Sequence, residues 1–200
     1  MRYGLVGLFC LSMIAGCNSD EGASGNQISN EVDDNSGNNG GADAYVGEDS
    51  GADVNYNQMS CTDDLKTVLA LINEKRKQAQ MCGNELYGPV DELTWSGLLT
   101  SAAQSHSNNM ANYDFFSHTG LDGSTIGTRV TDQGYTWSYV AENIAAGQST
   151  VESVVNGWMA SAGHCKNIMS ENVTEMGLAC SANSDASYHY YWTQVFAKAR

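Results

Sequence analysis

Proline is almost missing from this chain: Pro89 is the single one in 200 residues. Proline-rich linkers and collagen-like repeats are thereby excluded. Basic residues are scarce as well, with nine Lys and Arg against 23 Asp and Glu and a formal net charge of −14. No basic stripe is available to neutralise phosphates, so nucleic acid is excluded as a partner. The longest apolar run, residues 3–14, is well short of the roughly 20 residues that span a bilayer as a helix. There is no C-x-x-C pair, which excludes a zinc ribbon, and no H-E-x-x-H helix of the zinc-protease kind. A G-x-S-x-G nucleophile elbow is missing too. Ser117 and Ser161 lie near histidines in sequence, but without that elbow they make poor nucleophiles.

What is present falls into three parts. Arg2 precedes the apolar run, and Ile14-Ala15-Gly16-Cys17 reads as a bacterial lipobox. Residues 1–16 are therefore expected to be a signal peptide, with Cys17 as the lipidated residue. Residues 17–60 carry nine acids, no Lys or Arg, and mostly Gly, Asn and Ser otherwise. Such a segment buries too little apolar surface to offset its ordering entropy and is expected to be a solvated tether. Residues 61–200 keep 14 acids against eight bases, a charge of about −6, and form the folded domain. The expected location is a bacterial membrane surface facing the periplasm or the exterior, held by lipid.

Within the domain, Leu65, Val68, Leu69 and Ile72 repeat at helical spacing. Lys75-Arg76-Lys77 follows as a solvated basic helix end. Ser96 caps a second helix whose inner face is expected to hold Leu99, Ala102, Ala103, His106, Met110 and Tyr113. His106 is expected to sit in or near the core with one hydrogen bond. Phe115 and Phe116 anchor that helix, so His118 just beyond them faces a cleft. Residues 119–127 form a loop.

Glu142 stands between Ala141 and Ile144 in an apolar stretch. A carboxylate there is costly unless paired, which marks it as a site residue. Ser149-Thr150-Val151-Glu152 is a capping box for a third helix. That helix is expected to end before Gly163, leaving His164 at its negative C-terminal end, where affinity for a proton or cation rises. Beyond residue 173 the apolar period changes to two. Met176, Leu178 and Cys180 share one face, and the aromatic run after residue 188 completes an antiparallel hairpin. His189 is expected on a strand surface.

Apart from Cys10 and Cys17, four cysteines remain: Cys61, Cys82, Cys165 and Cys180. An even number in an exported chain implies two disulfides. Cys61 and Cys82 flank the first helix, and Cys165 and Cys180 flank a turn. Spacing alone leaves both the local and the crossed pairings open.

The runs FFSHTGLDGST, AENIAAG, VVNGWMASAGHCKNIM, TEMGLAC and YWTQVF, in this order, closely resemble the CAP superfamily of cysteine-rich secretory, antigen 5 and pathogenesis-related 1 proteins. Its bacterial SCP-like branch is the most similar. The resemblance covers about residues 63–197. It implies an α+β fold, a three-layer α-β-α sandwich with a small antiparallel sheet. It also implies a cleft lined by His118, Glu142 and His164. Ser161 stands where other branches carry a second acid, and Ala162 replaces the proline of their turn. By the same resemblance Cys82 pairs with Cys165 and Cys61 with Cys180.

Two imidazoles and a carboxylate suit Zn2+ or another divalent cation. Alternatively, Glu142 holds the histidines by hydrogen bonds. The implied function is that of a monomeric, anchored binding module for a lipid, glycan or protein. The alternative is a metal-dependent hydrolase acting on peptide or cell-envelope material. The missing second acid counts against the hydrolase.

Overall fold

The computed structural model describes residues 60–200. The expected signal peptide over 1–16, Cys17 and the tether up to residue 59 lie outside the described residues.

A short 3-10 turn, Leu65–Thr67, leads into α1, Val68–Arg76. The Asp64 side chain caps the turn by accepting from the Lys66 N–H. Strands β1 (Gln80–Cys82) and β2 (Glu85–Tyr87) form a separate hairpin. Its two-residue turn uses Gly83 at φ +68°, a conformation that favours glycine. Then come β3 (Thr94–Trp95), α2 (Gly97–Tyr113) and α3 (Ile126–Asp132). Strand β4 (Trp137–Ala146) is followed by α4 (Val151–Ala160) and α5 (Ala162–Ile168). Strands β5 (Glu175–Ala182) and β6 (Tyr190–Ala199) close the chain.

The main sheet runs β3-β5-β6-β4. The β5–β6 and β6–β4 pairs are antiparallel, and β3 adds a two-residue parallel edge. Successive strand residues face opposite sides, and helices cover both. Met176, Leu178, Cys180, Trp192 and Phe196 pack with α1, α4 and α5 residues such as Val68, Val155, Trp158 and Ile168. Ala179, Val195 and Ala197 pack with Leu99, Ala102, Ala103 and Val130 of α2 and α3. This is the expected α+β sandwich. The hairpin strands are buried on both faces, because each lies between two helical layers.

Gly177 makes the α2 contact possible. A Cβ added there would fall 2.2 Å from the Thr100 backbone nitrogen.

Several local expectations need correction. There are five α-helices among the described residues, not three: α3 occupies the end of the expected loop, with Thr125 and Thr128 forming its capping box. Helix α4 is capped by Thr150, whose side chain accepts from the Ser153 N–H, one residue later than expected. Phe115 packs with Met110, Ala111, Ile144 and Tyr191, whereas Tyr113, at the end of α2, is exposed, and Phe116 is exposed and meets Tyr188 at a centroid distance of 6.2 Å. Arg76 is the sharpest departure from a solvated helix end, being only 1 % exposed. Its guanidinium is satisfied by the carbonyls of Asp91, Ile168 and Ser170.

The disulfides are Cys61–Cys180 and Cys82–Cys165. The first ties the start of the domain to β5; the second ties the β1–β2 hairpin to α5.

Candidate functional site

The site is built around β4, an edge strand of the main sheet. Neighbouring residues Glu142 and Asn143 point to opposite faces, and each organises one half of the site.

Glu142 faces the α2–α3 side. Its carboxylate is almost wholly buried and accepts two charge-assisted hydrogen bonds. Arg129 Nη2 of α3 donates to Oε2 at 2.7 Å. His118 Nδ1 donates to Oε1 at 2.8 Å. Arg129 Nη2 also donates to the His118 carbonyl at 3.1 Å, and Nη1 to the Ser124 carbonyl at 3.0 Å. One buried arginine thus neutralises the carboxylate and fixes the backbone on both sides of the loop over residues 119–123. The pairing answers the cost of burying Glu142. With Nδ1 committed, His118 turns Nε2 outward, on a side chain that is 58 % exposed.

Asn143 faces α5 and is fully buried. Its Nδ2 donates to the His164 carbonyl at 3.2 Å and to Gln194 Oε1 at 3.1 Å. Its Oδ1 accepts from Asn167 at 2.9 Å. Asn167 also donates to the Glu142 carbonyl, and Trp158 Nε1 to that of Ile144, each at 3.2 Å. Outward carbonyls of the edge strand are therefore capped by side chains of α4 and α5, which blunts the edge against further strand pairing.

His164 differs from expectation. Helix α4 stops at Ala160, and α5 begins at Ala162. Ser161 is the residue between them, serving as the C-cap of one and the N-cap of the other without a side-chain cap bond. His164 is thus in the first turn of α5, at a positive helix end and not a negative one. The end of α4 before Gly163 was expected; the new helix starting at Ala162 was not. Burial lowers the proton affinity of His164, and His118 lowers it further. His118 therefore lies within electrostatic range of His164.

His106 lies beneath the loop, buried as expected, with Nε2 donating to the Ser117 carbonyl at 2.9 Å. Burial likewise lowers its proton affinity. It supports the segment that presents His118. Ser117 Oγ accepts from the Thr119 N–H, and His189 is exposed just before β6.

A three-ligand cation site does not fit these residues. Both Glu142 oxygens already carry a hydrogen bond, and the carboxylate is buried under Arg129. No group of three or more His, Cys, Asp or Glu among the described residues is placed to hold a metal. Glu142 acts as the orienting partner of His118.

Arg129, Asn143 and Asn167 were not identified from the sequence. One signal was available for Arg129: it is the single base between residues 78 and 165. A buried Glu142 requiring a cation had few candidates.

Residues 69–196 match the model of the CAP cysteine-rich secretory protein family, and the chain belongs to that family. It is 33% identical over 131 residues to the uncharacterized protein YkwD of Bacillus subtilis, covering 66% of this chain and 46% of that one. Among solved structures it is similar to an extracellular SCP-domain protein from Bacillus anthracis, with 29% identity, TM-score 0.49, and coverage of 55% of this chain and 34% of that one. An outer surface protein from Borrelia burgdorferi matches at 18% identity and TM-score 0.55, over 71% of this chain and all of that one. The match spans less than half of the two Bacillus proteins. Two disulfides suit an oxidising compartment, and together with the secretory family they mark the chain as exported.

Proposed function

We propose that this protein is an exported, lipid-anchored binding module whose ligand meets His118 and His164 at the edge of β4. The observation that carries this reading is the state of Glu142. A hydrolytic site needs a general base within reach of a water. Glu142 is buried and committed on both oxygens, so it orients an imidazole and is not itself the group that meets a water. What remains for a ligand is a pair of imidazole edges, one oriented by a carboxylate and one neutral. These suit recognition of a polar group. A zinc ion at this place would have only the two imidazoles as protein donors and would be weakly held. Anchoring rests on the lipobox and Cys17, and the domain acts as a monomer on an acidic tether.

The test is a turnover screen of the full chain on peptides and peptidoglycan fragments, with and without added zinc. No turnover is expected. Turnover abolished by His118→Ala would replace the binding module by a metal-dependent hydrolase. Zinc calorimetry on wild type, His118→Ala and His164→Ala should show weak heats that either substitution removes; equal heats in all three would remove zinc from this cleft. For the anchor, Cys17→Ser should shift the protein from the detergent phase to the aqueous phase on phase partition.

A further inference from the structure

A well-formed pocket lies apart from the histidines. It has a volume of 540 Å³ and opens between the β2 hairpin with its following loop and the turn after α5. Tyr87, Pro89, Tyr139, Asn167, Ser170 and Asn172 are among its walls.

Arg76, which does not line the pocket, ties its two walls together. Arg76, nearly inaccessible to solvent, donates to the Asp91 carbonyl at 2.7 Å and to the Ser170 carbonyl at 2.9 Å. The Val90 N–H returns to the Arg76 carbonyl at 3.0 Å. One buried cation therefore clamps the loop on one side of the pocket to the turn on the other. Burying a guanidinium against neutral carbonyls is costly; desolvation brings its pKa down to about 10, with Asp91 opposing. The Cys82–Cys165 bond and the Lys166–Glu85 pair at 2.7 Å join the same two walls. So much fixed structure around an open volume is the mark of a preformed ligand pocket.

We propose that this pocket binds a neutral saccharide. Its volume lies within the roughly 300–1,000 Å³ of small-ligand sites. Tyr139 is 39 % exposed and Leu86 is 66 % exposed, leaving apolar faces uncovered where the C–H face of a sugar ring would lie. The Ser170 hydroxyl and the Asn172 amide place donors and acceptors side by side, as ring hydroxyls require, and Asn167, with its amide hydrogens committed inward, adds only an acceptor. Charge selects against acidic sugars: Lys166 is neutralised by Glu85, and Glu171 adds a carboxylate to the wall. A lipid chain would leave these amide and charged groups unpaired. A peptide strand would need a longer template than the three residues of β2.

The experiment is calorimetry of the full chain with short neutral oligomers of N-acetylglucosamine, glucose and galactose. Saturable binding of at least one is expected. Tyr139→Ala and Asn172→Ala should each weaken it about tenfold or more, while Tyr139→Phe, which keeps the ring face, should bind like wild type. Thermal melts of the variants should match wild type, since both side chains are surface groups. The proposal is overturned if none of the oligomers binds saturably, or if binding survives both alanine substitutions. It is also overturned if a fatty acid or a short peptide occupies the pocket in preference to every sugar.

Discussion

Arg129 Nη2 and Glu142 Oε2 meet at 2.7 Å with both side chains almost fully buried, and this contact joins α3 to the middle of β4. Removing one partner leaves the other charge buried alone. Arg129→Met should therefore cost about 3–5 kcal/mol, read as a lowered urea midpoint. Arg129→Lys should recover little. The guanidinium reaches the carbonyls of Ser124 and His118 as well as Glu142, and a single ammonium has no such fork. A loss below about 1 kcal/mol in Arg129→Met would mean that water enters and screens the pair.

Gly177 tests the packing of α2 on β5. Its added Cβ would lie 2.2 Å from the Thr100 nitrogen and 2.4 Å from the Leu99 carbonyl carbon. Both are backbone atoms and cannot rotate away. Gly177→Ala should destabilise by about 1–3 kcal/mol or more, with lower yield of folded protein. Gly157→Ala, in α4 with open space around it, should instead be neutral or stabilising. Opposite signs for the two glycines are the expected result in thermal melts.

Much of the architecture was legible because burial leaves periodic marks. The second helix, its Ser96 cap, the buried His106 and the β5–β6 hairpin all follow from apolar spacing. Glu142 was legible as a misfit: a charge among apolar neighbours needs a partner. The partner was harder to see, because Arg129 is remote in sequence from the strand it serves. The end of α4 was legible, but the new start at Ala162 escaped because Ser161 makes no side-chain cap bond and no proline marks the first helical position. Arg76 escaped for a similar reason. A basic triplet at a helix end reads as solvated, and only tertiary contacts show that its middle member turns inward. Asn143 and Asn167 act through backbone carbonyls that only the fold brings near.

The crossed disulfides should contribute unequally to the site. Both close long loops, with separations of 119 and 83 residues, so chain-entropy arguments give each a contribution of about 4.5–5 kcal/mol. Only Cys82–Cys165 touches α5, next to His164. Replacing both Cys82 and Cys165 by Ala should lower stability and broaden the His164 ring resonances. Replacing Cys61 and Cys180 should lower stability by a similar amount and leave those resonances sharp. Equal broadening in both variants would show that α5 is not positioned by its disulfide. Peptide mapping without reduction checks the pairing itself.

Stability should also rise with pH between about 5 and 7, and the sign follows from two histidines. Burial lowers the proton affinity of both His106 and His164 in the folded state. An unfolded histidine titrates near about 6.5. Below that value the unfolded chain takes up protons that the folded chain refuses, so acid favours unfolding. The stabilisation is complete above the unfolded value and is lost as pH falls through the window beneath it. Asp114 and Asp122 are also held below the usual carboxylate range, each chiefly by hydrogen bonds from a neighbouring serine. Their contribution disappears only below about pH 4, where unfolded carboxylates titrate, so the two effects separate on the pH axis. Urea midpoints measured across the range should slope upward from pH 5 to 7. His106→Gln keeps a side-chain donor for the Ser117 carbonyl and should flatten that slope while leaving the acid limb below pH 4 in place. A wild-type profile already flat between pH 5 and 7 would mean that both imidazoles accept protons in the folded state as readily as in the unfolded chain.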